Sequence, residues 1–374
     1  MMVSYKRLCE ICSPKQWKTI SSDTLLDSGY PVYGANGVIG YYSEYNHEKR
    51  TLLITCRGAT CGNLNICEPY SYVNGNAMAL DSLSNDIDIQ YLYYYLQFRG
   101  FSDVITGSAQ PQIVRQSLEK ISIYYPEIDR QRRIAVVLGH VEKLISLRKQ
   151  QLSKLDELVK ARFVEMFGDM LLNPLNWPEI LLGEMADVVS GITKGRKTRE
   201  KNLIEVPYMA VSNVKDGFID WTTVKTIMAT ASEISQYHLL PNDVLMTEGG
   251  DPDKLGRGAI IKKPLDNCIH QNHIFRVRLD SNKTLPEFFA EYLQHQKAKR
   301  YFLGCAKQTT GIASINMKQL RALPVLMPPI EAQCQFVTFI DQICKSKLTI
   351  QQGLDKLDVL KRALMQEYFG GDIK

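Results

Sequence analysis

Two stretches of the chain repeat one alternation of apolar and polar positions. In the first, Leu138, Val141, Ile145, Leu152, Leu155, Val159 and Met166 recur three and four residues apart, with Arg148 and Arg162 in the same series. In the second, Ile340, Ile343, Ile350, Leu354, Leu357, Leu364 and Tyr368 follow the same spacing, with Lys347 and Lys361 among them. That period lays one apolar stripe along a helix and asks for a partner to cover it. No proline interrupts either stretch, and Gly168 and Gly370 stand where helices commonly stop. The spacing predicts two long helices. At about 1.5 Å per residue, a helix of some 40 residues spans roughly 60 Å, a rod able to hold globular domains apart.

The two stretches are copies. The segment LDELVKARFVEMFGD, beginning at Leu155, falls on LDVLKRALMQEYFGG, beginning at Leu357, a shift of 202 residues. The same shift carries Ile113 to Ile315, Leu118 to Leu320, Pro126 to Pro328, Ile128 to Ile330 and Gln131 to Gln333. Duplicated amphipathic helices from one chain pack most simply on each other as an antiparallel coiled coil. The residues expected at this helix and partner interface are Leu152, Leu155, Val159, Phe163 and Phe167 in the first copy, with Leu354, Leu357, Leu364 and Phe369 in the second.

Ahead of each helix the period shortens. The runs TLLIT (Thr51–Thr55), VPYMAVS (Val206–Ser212), NDVLMT (Asn242–Thr247), GAIIK (Gly258–Lys262) and IFRVRL (Ile274–Leu279) read as strands, between glycine-rich turns such as YGANGVIG and VNGN. IQYLYYYLQF (Ile89–Phe98) and PEFFAEYLQHQKAKRYF (Pro286–Phe302) read as one helix late in each domain. The expected fold class is α+β (mixed α/β): a first domain over residues 1–125, a helical region over 126–170, a second domain over 171–327 and a distal helical region over 328–374.

Composition adds little. A net charge of +5 permits local basic patches without establishing a polyanionic partner. Nine cysteines, an odd number, and the absence of a signal-type or 18-residue apolar run point to a reduced, cytoplasmic protein with no membrane partner. Cys9 and Cys12 form one C-x-x-C, and Cys56, Cys61 and Cys67 lie near one another, but structural zinc asks for a second close pair or histidines at defined spacing. Metal ligands are not expected.

The motifs that suggest catalysis are incomplete. GITKGRKT (Gly191–Thr198) has Arg196 where a phosphate-binding loop needs its second glycine. NPLNW (Asn173–Trp177) lacks the second proline and adjacent aromatic of an amino-methyltransferase loop. Asp251 and Asp253 sit in a loop with no third acid or histidine nearby, and His270 and His273 read as loop or groove residues. The chain reads as a binder with no catalytic residues.

Its candidate binding residues fall in loops. Lys194, Arg196, Lys197, Arg199 and Lys201, with Lys254, Arg257, Lys262 and Lys263, supply positive charge in the second domain. In the first, Lys49, Arg50 and Arg57 flank TLLIT, while Asn74, Asn76, Gln110 and Gln112 carry the amides suited to adenine edges.

VYGANGVIGYY, RGATCGN, GSAQPQI and LEKISIYYPEIDRQRRIAVVL, followed by NWPEILLGEMADVVSGITKGRK and GIASINMKQLRALPVLMPPIEAQCQF, together cover essentially the whole chain. In this order, twice over, they resemble the specificity subunit of type I restriction-modification systems. The usual Pro-Pro-Leu-x-Glu-Gln stands here as PEIDRQ and PPIEAQ, which leaves the local turn open. The resemblance implies a non-catalytic subunit whose two recognition domains each bind half of a bipartite, asymmetric site in double-stranded DNA. It implies helices that dock two methyltransferase subunits, with restriction subunits joining them. Cofactors are then expected on the partners, namely S-adenosylmethionine, ATP and magnesium, and none on this chain. A subunit serving a combined restriction-methylation polypeptide, or a coiled-coil scaffold without DNA function, remain as alternatives.

Overall fold

The computed structural model describes residues 5–107, 110–197, 202–250, 255–309 and 312–371. It divides into two compact units, the first of residues 1–151 with 350–374 and the second of residues 152–349. Two helices of 40 residues each, the central helix Ile128–Phe167 and the distal helix Ile330–Phe369, are shared between the units. Their bounds differ by the 202 residues of the sequence repeat.

Both units use one strand plan. The first has a four-stranded sheet in the order Ser13–Gln16, Ala77–Asp81, Thr51–Thr55, Leu64–Cys67; the second repeats it with Ala186–Ser190, Ile274–Leu279, Val244–Thr247, Gly258–Ile260. A three-stranded sheet follows in each. Tyr30–Gly34 pairs antiparallel with Gly37–Tyr42 and parallel with Tyr72–Val73, and Ile204–Met209 pairs in the same way with Lys225–Ala229 and Ile269–His270. A two-stranded ribbon ties the entry of each domain to its exit, Tyr5–Arg7 to Ser122–Tyr124 and Glu179–Leu181 to Pro324–Leu326.

In the first unit the helix Ile89–Arg99 is started by Asp88, whose side chain accepts from the backbone N–H of Gln90 and Tyr91. Its rings at Tyr91 and Tyr95, with Phe98, surround Phe369 from the end of the distal helix, at centroid distances of 5.8, 5.5 and 5.7 Å. Ile134, Ala135 and Leu138 of the central helix and Met365 of the distal helix share that core. In the second unit Phe163 and Phe167 of the central helix meet Phe288 and Phe336 at 5.0 to 5.6 Å.

Within each unit, residues later in the central helix meet residues earlier in the distal one, so the helices run antiparallel there. Glu142 pairs with Lys361 at 2.6 Å in the first unit; Asp156 pairs with Lys347 in the second, where Phe163 meets Phe336. The lysines that interrupt the apolar series therefore answer carboxylates on the opposite helix. Arg162 lies over the Phe339 ring and pairs with Glu165.

One expectation changes, and the helix residues sort by burial. Phe163 and Phe167 are fully buried and meet Phe336 of the distal helix, and Phe369 is fully buried in the first unit's core. Leu354 is also buried, whereas Leu152, Leu155, Val159, Leu357 and Leu364 are half-buried along the helices. The single helix expected over residues 286–302 is two, Pro286–Tyr292 and Gln296–Cys305. His295 is extended between them and stacks on Phe163 at 4.3 Å. The break re-aims the second helix so that Ala298 and Phe302 enter the same core as Phe288 and Tyr292.

Candidate nucleic-acid interface

The loops after Thr55 and Thr247, where the middle strands of the two four-stranded sheets end, are held by equivalent backbone bonds. In the first unit the N–H of Cys56 donates to the carbonyl of Asn76 (3.1 Å), and the carbonyl of Cys56 accepts from Ile113 (3.0 Å). In the second the N–H of Glu248 donates to His273 (3.0 Å), and its carbonyl accepts from Ile315 (2.9 Å). Arg57 bridges Gln112, which bridges Thr106; Gly249 pairs with Ser314, which pairs with Lys307. The N–H of Asn74 donates to Tyr33, and that of Gln271 to Met209. Even one side-chain bond recurs: Gln16 Nε2 donates to the Gly75 carbonyl at 3.1 Å, and Ser190 Oγ to the Asn272 carbonyl at 2.6 Å.

The mesh is common and its side chains are not. Cys56, Arg57, Asn76, Thr106 and Gln112 in the first unit answer to Glu248, Gly249, His273, Lys307 and Ser314 in the second. Close backbone approach sets two positions beside it. A Cβ on Gly75 would lie 2.7 Å from the Trp17 carbonyl oxygen, and one on Gly191 would lie 1.9 Å from the His270 carbonyl oxygen. Bonds that leave the backbone fixed while the exposed groups vary suit recognition, in which rigid strands present interchangeable contacts.

The expected contacts fall at different places relative to this mesh. Arg57, Asn76 and Gln112 belong to it and are exposed, and Gln110 is exposed two residues before Gln112. Asn74 is buried; its carboxamide accepts from the N–H of Ile20 and Gly75 and donates to the Ile20 carbonyl, which shapes the turn. Lys49 and Arg50 are exposed, but they precede the strand Thr51–Thr55 whose far end carries Arg57. Five strand residues at about 3.3 Å each separate them by roughly 17 Å.

In the second unit Lys194 and Lys197 are exposed, whereas Arg196 makes a bidentate ion pair with Glu233 and donates to the Met228 carbonyl at 3.2 Å. The guanidinium holds the Glu233 carboxyl below its usual range, and Glu233 also closes the capping box of the helix Ala231–Tyr237. Arg257 stands where Asn63 stands in the first unit, each carbonyl accepting from the N–H of its strand-end threonine, Thr247 or Thr55. Lys262 pairs with Glu287, and Lys263 is exposed. Arg199, Lys201, Lys254, Asp251 and Asp253 lie outside the described residues.

The two histidines of CIHQNHIF differ sharply. His270 is fully buried, with Nδ1 3.0 Å from the Tyr237 carbonyl and Nε2 3.3 Å from that of Val189. Burial pushes its pKa down to about 4, so the neutral ring serves the fold. His273 is exposed, and its Nδ1 lies 2.5 Å from Glu248 Oε2. Sequence reading singled out neither Glu248 nor Lys307, since the loops between the matched bonds differ in length and the gapless repeat does not reach them.

Among the described residues no group of three or more histidines, cysteines or acids is placed to hold a metal ion, and no helix is long and apolar enough to cross a membrane. Cys12, Cys56, Cys67 and Cys268 are buried, and burial raises each thiol pKa, that of Cys12 to about 12.

A duplicated mixed α/β unit, each copy closed by halves of two shared helices, defines the architecture. The model of the type I restriction modification DNA specificity domain matches residues 2–157 and 174–361, and the chain belongs to that family. It is 22% identical over 289 residues to the EcoKI type I restriction enzyme specificity subunit of Escherichia coli K12, covering 73% of this chain and 62% of that one. It is 24% identical over 334 residues to the StySPI specificity subunit of Salmonella potsdam, covering 84% and 68%. Several curated relatives are matched over only 36 to 62% of their length. A crystal structure of a type I restriction-modification S subunit from M. genitalium shares the fold, with a TM-score of 0.60 at 15% identity, over 98% of this chain and 96% of that one.

Proposed function

We propose that this chain is the DNA-reading, non-catalytic subunit of a type I restriction-modification enzyme, and that each unit reads one half of a bipartite, asymmetric site. The observation that carries this reading is the shared mesh with unlike side chains. One backbone frame presents Arg57, Asn76 and Gln112 in one unit and Glu248, His273 and Lys307 in the other, so the two half-sites differ in sequence. Arginine and lysine there hold phosphates or guanine, and amides read adenine.

The helices supply the docking positions for methyltransferase subunits. Leu158 and Leu360 are equivalent under the repeat, are 46% and 45% exposed, and lie one in each unit. They suit two copies of one partner. In this reading the methyltransferases bring S-adenosylmethionine and methylate adenine N6 on a flipped base, restriction subunits bring ATP and magnesium chemistry, and the complex works in the cytoplasm.

The test is a genome-wide map of N6-methyladenine in the host with the gene intact and deleted. Loss of one bipartite motif on deletion is the expected result. An unchanged map with the methyltransferase expressed would overturn the proposal and favour a scaffold, which would also lack salt-dependent DNA binding.

A further inference from the structure

We propose that Glu248, oriented by His273, determines base specificity in the second unit by accepting a hydrogen bond from the exocyclic amino group of a cytosine or an adenine. This rests on the DNA-reading function proposed above and deepens it.

Glu248 occupies the position that Cys56 holds in the first unit, fixed by the same two backbone bonds. The Cys56 side chain is buried; its sulfur accepts from Gln16 Nε2 at 2.9 Å and faces the Asn76 carbonyl at 3.2 Å. The Glu248 side chain is 32% exposed instead. Its Oε2 accepts from His273 Nδ1–H at 2.5 Å, and His273 Nε2 faces Asn272 Nδ2 at 3.4 Å. A carboxylate on one side and an amide donor on the other place a ring proton on Nδ1. The ring thus holds Oε2, and we assign Oε1 to the outside donor.

A carboxylate is an unusual group to hold at a DNA surface, because phosphates repel it. It becomes favourable where it meets a base amino group. Being acceptor-only, it favours cytosine N4 and adenine N6 over the carbonyl edges of guanine and thymine. Replacement by an amide, which both donates and accepts, removes that discrimination with little change in shape.

The experiment is selection of duplexes from a randomised library by the full chain, wild type beside Glu248→Gln, followed by sequencing. Wild type should fix cytosine or adenine at one position of one half-site, and the base recovered identifies which amino group is read. Glu248→Gln should relax that position about tenfold and leave the other half-site unchanged. Unchanged preference at every position, or equal loss in both half-sites, overturns the inference. If Glu248→Gln selects nothing, Glu248→Asp decides: retained preference for an amino-bearing base supports the assignment, and its loss overturns it. Failure of the wild type to select any sequence overturns the DNA-reading function itself.

Discussion

Gln131 and Gln333 make matching sets of hydrogen bonds 202 residues apart. Gln131 Oε1 accepts from the N–H of Asp88, which begins the helix Ile89–Arg99, and its Nε2 donates to the carbonyls of Asp86 and Pro126. Gln333 Oε1 accepts from the N–H of Leu285, which begins the helix Pro286–Tyr292, and from Thr284 Oγ1, while its Nε2 donates to Pro328. Both side chains are fully buried, and each pins the start of a long helix to the start of a domain helix.

Alanine at either glutamine leaves a buried N–H and one or more carbonyls unpaired, which costs about 1–3 kcal/mol. Gln131→Glu should cost more at neutral pH, because a carboxylate would face two carbonyls. Its folded pKa would rise, so its stability is better kept below the unfolded value of about 4.3 and is lost as the pH climbs above it. Denaturant unfolding of the three variants at pH 4 and pH 7 checks this; equal loss for Gln131→Glu at both would remove the argument.

Phe369 and Phe167 hold equivalent places in the repeat, and both are fully buried among aromatic rings. Phe369→Ala and Phe167→Ala should each destabilise by about 3–5 kcal/mol, measured as a shift in the unfolding midpoint. A loss below about 1 kcal/mol for Phe369 would mean that the end of the distal helix is not part of the first unit's core.

The helices were legible in sequence because a 3.6-residue period over 40 residues is a strong signal and the repeat there has no gap. TLLIT and IFRVRL were legible as strands at their observed bounds. The mesh was not legible. Cys56 and Glu248 share neither chemistry nor the 202-residue offset, and only their backbone bonds reveal the equivalence. Composition could identify Arg57 and Arg196 as cations, but not that Arg196 is bound to Glu233 while Arg57 stands exposed at the mesh.

That difference is testable on DNA. Arg57→Ala should weaken binding and lower the salt slope by about one, whereas Lys49→Ala, at the other end of the same strand, should leave affinity unchanged. Titration of duplex at several salt concentrations compares them. A larger loss for Lys49→Ala would move the binding face to the opposite end of the sheet.

His270 predicts a pH dependence of stability. Its pKa is about 4 in the folded chain against 6.5 unperturbed, chiefly through burial, with Arg276 acting in the same direction and the facing carbonyls and Asp243 opposing it. The unfolded chain therefore binds the proton first. The effect is absent above the unfolded pKa, and stability falls as the pH drops from 6.5 towards 4, by about 3 kcal/mol in all. His270→Asn should be less stable at pH 7 yet lose less between pH 7 and pH 4.5. Parallel losses in the two proteins would mean that His270 carries a proton in the fold.

Leu158 and Leu360 test whether the duplication serves two partners. They stand in equivalent positions on the two long helices, and each exposes close to half of an apolar side chain. In sequence Leu158 follows Asp156 of the Asp156–Lys347 pair by two residues, and Leu360 precedes Lys361 of the Glu142–Lys361 pair by one. An aspartate at either position would place an unpaired charge in a docked surface, at a cost of several kcal/mol to that contact, with little effect on the fold because the site is open to solvent. Leu158→Asp alone and Leu360→Asp alone should each yield complexes with one methyltransferase subunit, and the double variant none, as read by native mass spectrometry of the co-expressed proteins. If either single variant released both subunits, docking at the two places would be coupled; if neither released any, the partners would grip the chain elsewhere.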